Sequence, residues 1–150
     1  MSFIITQATR ADIPAMMALN AASMPEHYTP QFWTVHFNQF GDMLFVAKVD
    51  SEVIGYVLCR EETVNTIRTG LVISIAVDPH YRRLGVGEEL MKRAHFAMRE
   101  RRVAVASLQV RKSNASAIAM YAKMGYKANL SIPGYYTNPP EDGWLMTFVL

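Results

Sequence analysis

Residues 73–90 read I-S-I-A-V-D-P-H-Y-R-R-L-G-V-G-E-E-L: an apolar run, a basic turn with two glycines, then a segment opening on two glutamates. Residue types in that order build a site for an anion. A strand delivers the chain, glycine lets a ligand approach bare backbone, and a helix start offers unpaired N–H groups and a partial positive charge. Arg82 and Arg83 add cations able to make charge-assisted hydrogen bonds to phosphate oxygens. The chemistry predicted is the holding of a phosphorylated cofactor. The turn has no G-K-[ST], which sets aside a P-loop, and no G-x-G-x-x-G with a ribose-binding acid, which sets aside a dinucleotide fold. What stands is R-x-x-G-x-G, from Arg82 to Gly87.

Other groups able to do chemistry are sparse. The one cysteine, Cys59, sits in an apolar strand pattern and reads as packing. It permits no disulfide within the chain, which fits a reducing compartment and a cytoplasmic protein. The densest charge run, Arg99-Glu100-Arg101-Arg102, reads as a solvated helix end favoured by the dipole. A net charge of +2 is too small to argue for nucleic acid. No basic segment followed by an apolar run opens the sequence, and no apolar run is long enough to span a membrane, so neither nucleic acid nor membrane is an expected partner.

The elements that must position these residues follow from patterning. With 150 residues, 51% hydrophobic and 19% charged, residues 1–150 are expected to form one globular domain. Residues 3–8 read as a strand. Thr9 then caps a helix, with Asp12 three residues on as a capping-box variant and Pro14 in the first turn. A second helix starts at Thr29-Pro30 and carries Phe32, Trp33, Phe37 and Phe40 to Gly41. Residues 43–49 and 53–60 form a hairpin about Asp50-Ser51-Glu52, and the apolar run 71–77 is a central strand buried on both faces. A helix over 88–101, a strand over 103–110 and a helix capped by Ser113 or Asn114 and ended by Gly125 come next. Residues 126–132 and 144–149 form a last strand pair, and the connection 133–143 is too long for a tight turn and reads as a functional loop. The order β-α-α-β-β-β-α-β-α-β-β is a mixed α/β domain.

A strand, an R-x-x-G-x-G turn and a helix in that context resemble the acetyl-CoA site of the GNAT acetyltransferase superfamily, an [RQ]-x-x-G-x-[GA] turn. The likeness extends along the chain and sharpens in L-Q-V-R-K-S-N at 108–114, A-I-A-M-Y at 117–121, Gly125-Tyr126, and Gly134-Tyr135-Tyr136 followed by Glu141-Asp142. Those segments resemble the protein N-terminal acetyltransferases of the bacterial ribosomal-protein type and the Ard1-like catalytic subunits. The resemblance implies an α/β GNAT fold with a mixed, mostly antiparallel central sheet flanked by helices. It implies acetyl-CoA as co-substrate, no metal, and direct transfer of the acetyl group to the α-amine of a protein N-terminus in a ternary complex.

It also implies roles. The backbone of Ile75, Ala76 and Val77 would pair with the pantetheine arm, and a strand-end N–H would polarise the thioester carbonyl. Arg82, Arg83, Leu84, Gly85, Val86, Gly87 and Glu88 would hold the pyrophosphate, and Asn114 would bind the cofactor arm while capping its helix. Tyr121 would protonate the leaving thiolate, a transfer needing modest tuning between a phenol near 10 and a thiol near 8.5. Pro25, Glu26 and Tyr28 would form one wall of the peptide slot, with Gln109 beside it and Tyr135 and Tyr136 as the other wall. The base is where the chain departs from the pattern. Relatives commonly carry Glu or His where Gln109 stands, and some carry His at the position of Leu71, whereas neither Gln nor Leu accepts a proton. Glu26, acting through water, is the first candidate, ahead of His27 and His80. Three acceptor readings stand open: protein N-termini, with a ribosome-associated setting, a homo-oligomer or an auxiliary subunit; polyamines or other small amines; and a CoA-binding module without catalysis.

Overall fold

A computed structural model describes residues 2–150. Seven strands form one sheet in the order β1-β2-β3-β4-β5-β7-β6, with β1 Ile4–Gln7, β2 Leu44–Val49, β3 Glu52–Val64, β4 Ile67–Val77, β5 Val105–Arg111, β6 Lys127–Thr137 and β7 Pro140–Val149. Five neighbouring pairs are antiparallel and one, β4 with β5, is parallel. The helices are α1 Ile13–Ser23, α2 Pro30–Phe40, α3 Val86–Glu100 and α4 Ala115–Lys123. The chain order matches the pattern expected from sequence, and so does the mixed, mostly antiparallel sheet.

The helices cover both faces, so strand β2 is apolar at successive positions rather than alternating. Leu44 and Val46 point toward α1 and α2, where Ile13, Met16 and Trp33 pack; Phe45 and Ala47 point toward α3, where Leu90, Met91, Ala94 and Met98 pack. Gly70 admits α3 this closely, because a Cβ there would lie 2.5 Å from Met98 Sδ. Before α1, the Asp12 carboxylate accepts from the Thr9 N–H at 2.8 Å and hydroxyl at 3.1 Å, and it pairs with Lys48 at 3.0 Å. Thr29 caps α2 by accepting from the Phe32 N–H at 3.2 Å.

Two irregularities open the sheet at its middle. The β4–β5 ladder pairs only Thr69–Leu71 with residues 105–107 and then stops, although both strands continue to Val77 and Arg111. In β4, Leu58 faces Ser74 and Cys59 faces Val72, so Ile73 is an extra, unpaired residue. The backbone of β4 beyond Leu71 is therefore free toward β5.

Three expectations are corrected. Residues 61–70 extend β3 and β4 into one long hairpin, closed by Asn65 and Thr66, both at left-handed φ (49° and 68°), as two-residue hairpin turns require. Charged residues hid that strand pair; Glu61, opposite Gly70, and Arg68, opposite Thr63, join diagonally across it in a salt bridge at 2.6 Å. The connection 133–143 is likewise not a loop: β6 and β7 continue through it to pair Thr137 with Pro140 about a tight Asn138-Pro139 turn. Its prolines and glycines masked the strands. Gly134 (φ +63°) takes up an irregularity between Ile132 and Tyr136, and its N–H donates to Asp142 Oδ1 at 2.8 Å. Helix α3 also begins two residues earlier than the glutamates suggested.

Candidate active site

Where β4 and β5 part, a groove of about 1130 Å³ runs from the turn before α3, past α4, to the α1–α2 connection and the β6–β7 hairpin. At one end is the anion cradle. Gly85 sits at φ +81°, which an L side chain adopts only with strain, and directs the chain into the fifteen-residue helix α3. Arg83 also lies at left-handed φ (63°), so the turn carries two left-handed residues within three positions. At Gly87 a Cβ would meet nothing nearer than Met120 Sδ at 3.5 Å. Nothing in the protein therefore demands a glycine there, and its bare backbone is left facing the groove. Arg82, Arg83, Gly85, Val86, Gly87 and Glu88 all line it. A helix N-terminus, two guanidinium groups and close backbone access together suit a pyrophosphate. The Leu84 side chain is 49% exposed and lies outside the groove lining, so what Leu84 can offer the cradle is its backbone N–H.

Along the middle, Ile75, Ala76 and Val77 of β4 form one wall and Asn114 and Tyr121 of α4 face it. The Asn114 carboxamide oxygen accepts from the Ala117 N–H at 3.3 Å, the expected cap, leaving its NH2 toward the groove. Tyr121 is 6% exposed, and burial pushes its phenol up to about 12. No described residue hydrogen-bonds its hydroxyl, which therefore stays protonated at neutral pH with a proton to offer. Proton transfer to a thiolate of ordinary pKa near 8.5 would be uphill by roughly 5 kcal/mol, so the tuning is larger than sequence suggested. As a hydrogen-bond donor, the phenol needs no transfer.

The far end is organised by Arg111, which sequence reasoning quoted only inside a motif. Its guanidinium donates to Glu26 Oε1 at 2.7 Å, Pro139 O at 2.9 Å, Asn138 O at 3.2 Å and Glu141 Oε1 at 3.3 Å, and lies over the Tyr136 ring at 4.3 Å. One side chain thus ties the α1–α2 connection to the hairpin tip and spans the slot between the two predicted walls. Pro25, Glu26, Tyr28, Gln109, Tyr135 and Tyr136 all line this end. Burial raises the Tyr136 phenol and, to about 12, that of Tyr28, so both face the slot as neutral donors. Glu141 also accepts from the Ser113 N–H at 2.6 Å, and bonds from Ser113 and then Arg111 hold its carboxyl below the usual range. Glu26 would have to leave Arg111 to act as a base. His80 is exposed and bonded to Asp78 at 2.9 Å, and neither it nor His27 nor Leu71 lines the groove. Cys59 is fully buried, and burial raises its thiol far above the ordinary value. Ser23, Met24, Ser74 and Met120 also line the groove. Met24, Ser74 and Met120 each adjoin a residue that the resemblance already placed there. Among the described residues, no three His, Cys, Asp or Glu side chains group to hold a metal ion, and no helix is long and apolar enough to cross a membrane.

The acetyltransferase (GNAT) family model matches residues 13–126. The chain is 34% identical over 151 residues to a protein named N-alpha-acetyltransferase from Sulfurisphaera tokodaii, covering 95% of this chain and 90% of that one. It is 34% identical over 145 residues to the N-terminal acetyltransferase A complex catalytic subunit NAA10 of Arabidopsis thaliana, covering 95% and 75%. A solved structure of the NatC complex bound to Gag peptide and CoA contains a chain that superposes with a TM-score of 0.93 at 20% identity, covering 100% of this chain and 99% of that one.

Proposed function

The chain belongs to the acetyltransferase (GNAT) family, and from that premise we propose that it is an acetyl-CoA-dependent acyltransferase that acetylates the α-amine of protein N-termini. The observation carrying this reading is that one groove joins an anion cradle at 82–88 to a slot walled by residues 25–28 and Tyr135-Tyr136, with Tyr121 between them. The relatives' names point to the same acceptor.

Bound acetyl-CoA supplies the activated acyl group. In this reading the N–H groups of 83–88 and the two arginines hold its pyrophosphate, and the unpaired backbone beyond Leu71 takes its arm like an added strand. An N–H of that strand stabilises charge developing on the thioester oxygen, and the Tyr121 hydroxyl donates to the departing sulfur. Tyr28, Tyr135 and Tyr136 hold the peptide, so the amine attacks directly and no acyl-enzyme forms. Among the described residues lining the groove, both carboxylates are paired and no imidazole is present, which suits this acceptor. Roughly a tenth of an α-amine with pKa near 8 is already neutral at pH 7, against well under a thousandth of a lysine amine near 10.4. A polyamine would want an acidic funnel, yet Arg111 offsets both Glu26 and Glu141 and Asp142 is bonded to Gly134. Cytoplasmic action on N-termini at the ribosome, with an auxiliary subunit as the name of the Arabidopsis relative suggests, belongs to the same proposal.

The test is thiol release from acetyl-CoA with peptides that differ only at the N-terminus. Release with a free α-amine and none after it is blocked is expected; turnover of spermidine in preference to peptides refutes the reading.

A further inference from the structure

On α3, Glu88, Lys92, His95 and Arg99 recur at helical spacing, which sets them in one stripe along the helix. They line a second groove, of about 300 Å³, completed by Lys123 and Met124 at the end of α4 and by Phe148 of β7. Glu88 is the one residue it shares with the main groove. The rest lies farther down α3, with His95 roughly 12 Å along the helix from the cradle's Gly87.

His95 carries an unused donor. The residue is 4% exposed, its Nε2 lies 2.6 Å from the Tyr126 hydroxyl, and its ring packs on Phe148 with centroids 5.0 Å apart. Gly125 makes room for that floor, since a Cβ there would stand 2.8 Å from the Phe148 ring. Burial raises the Tyr126 phenol, which keeps its proton, and Nε2 is its only side-chain partner among the described residues. Tyr126 therefore donates and Nε2 accepts. Burial and then Arg99 push the imidazole down to about 4, so it is neutral at pH 7 and its single proton sits on Nδ1. That N–H has no partner among the described residues. Ser23 Oγ is the one side-chain polar atom among them both sealed from solvent and unpartnered, so Nδ1 opens to solvent, through the groove that His95 lines.

Cations surround this donor. Lys92 bonds Glu88 at 3.8 Å and Lys123 bonds it at 3.4 Å, while Arg99 has no ion-pair partner among the described residues. Glu89, which also holds Lys92 at 3.3 Å, stays outside the lining. Lys92, Arg99 and Lys123 against Glu88 alone leave the lining with a net charge of +2. The carbonyls ending α4 would repel an anion, but those of Met120, Tyr121 and Ala122 accept from the N–H groups of 124–126.

We propose that this groove is a second anion site, separate from the cofactor cradle, that binds a phosphate dianion. A dianion balances the charge of the lining, and its three acceptor oxygens suit the Nδ1–H, the Arg99 guanidinium and the two ammonium groups. A carboxylate offers two oxygens and leaves one positive charge unmatched. Inorganic phosphate and a phosphate monoester present the same chemistry. The inference holds whichever amine is acetylated.

The experiment follows the His95 ring by NMR in protein carrying nitrogen-labelled histidine and saturated with CoA, so that the cradle is filled. Inorganic phosphate, methyl phosphate and acetate are titrated at constant ionic strength and about pH 8, where the phosphates are dianions. The His95 signals should shift saturably with a Kd at or below about 1 mM for inorganic phosphate, and acetate should bind at least about tenfold more weakly. A monoester ligand is indicated if methyl phosphate binds more tightly than inorganic phosphate, and the free ion if it binds less tightly. The exposed His80 should not respond. Arg99→Gln and Lys123→Gln alter exposed side chains and should fold normally. Each should weaken phosphate at least about tenfold, the loss of one bond between charged groups, with CoA affinity within about threefold of wild type. No saturable shift, acetate binding as tightly as phosphate, or phosphate affinity unchanged in both variants overturns the site. A His95 shift produced by CoA alone that phosphate does not extend, with CoA affinity falling in both variants, gives the groove to the cofactor and overturns the proposal too.

Discussion

Replacing Tyr121 by Phe removes one oxygen from the centre of the groove, and the structure sets the size of the consequence. No described residue bonds to that hydroxyl, so the variant orphans no partner, and stability should change by less than about 0.5 kcal/mol. The ring keeps its packing against Tyr126, whose centroid is 5.8 Å away. A phenol near 12 acts by donating a hydrogen bond to a sulfur gaining negative charge. Bonds to charged groups are worth about 1.5–3 kcal/mol, which corresponds to a loss of roughly 10- to 150-fold in kcat. Full proton transfer by a well-matched acid would allow losses up to roughly 10⁴. Thiol release at saturating peptide reads kcat, and a titration of acetyl-CoA reads KM, expected within about twofold of wild type because the bond forms only as the sulfur departs. The wild-type rate should also show no decline from phenol ionisation below about pH 11. A loss smaller than threefold, or one that appears wholly in KM, would refute this role.

The two glycines of the cradle should separate. Around Gly85 a Cβ meets nothing within 4 Å, so Gly85→Ala costs only its left-handed φ, about 1–2 kcal/mol in a urea melt, and raises the KM for acetyl-CoA. Gly87→Ala enters an ordinary 3.5 Å contact inside a helix and should gain about 0.5–1 kcal/mol of stability, yet its methyl stands where the pyrophosphate approaches the backbone, so the KM for acetyl-CoA should rise here too. Arg111→Ala releases both walls of the slot together, and peptide KM should rise at least about tenfold with acetyl-CoA KM within threefold, read by the same steady-state assay. Arg101 holds Asp42 through bonds of 2.6 and 2.7 Å and keeps that carboxyl below the usual range. A depressed carboxylate stabilises above its unfolded pKa and loses that contribution as pH falls through the folded value. Wild-type stability should thus drop below about pH 4, and Arg101→Gln should be less stable at pH 7 with a flatter decline below 4 by urea melts.

Local signals made most of the fold legible. Thr9 with Asp12, Thr29 before Pro30 and Asn114 are caps whose partners lie three residues away, and the cradle at 82–88 is one continuous segment. The long hairpins were not legible, because Glu61, Glu62 and Arg68 break the apolar pattern in one, and Pro133, Gly134, Pro139 and Pro140 mimic a loop in the other. Strand pairing overrides both signals. In the site, the resemblance found the lining residues but not what they do to one another. Arg111 meets Glu26 across 85 residues and Tyr56 meets Ser74 across 18, and no short-range pattern announces such pairs.

The central claim is that the acetyl group goes to an α-amine. A peptide carrying both a free N-terminus and an internal lysine, incubated with the protein and acetyl-CoA and fragmented by mass spectrometry, tests it in one spectrum. The account predicts one acetyl group per peptide, on the N-terminal residue, with the lysine unmodified. Acetylation of the lysine with the α-amine left free would contradict it.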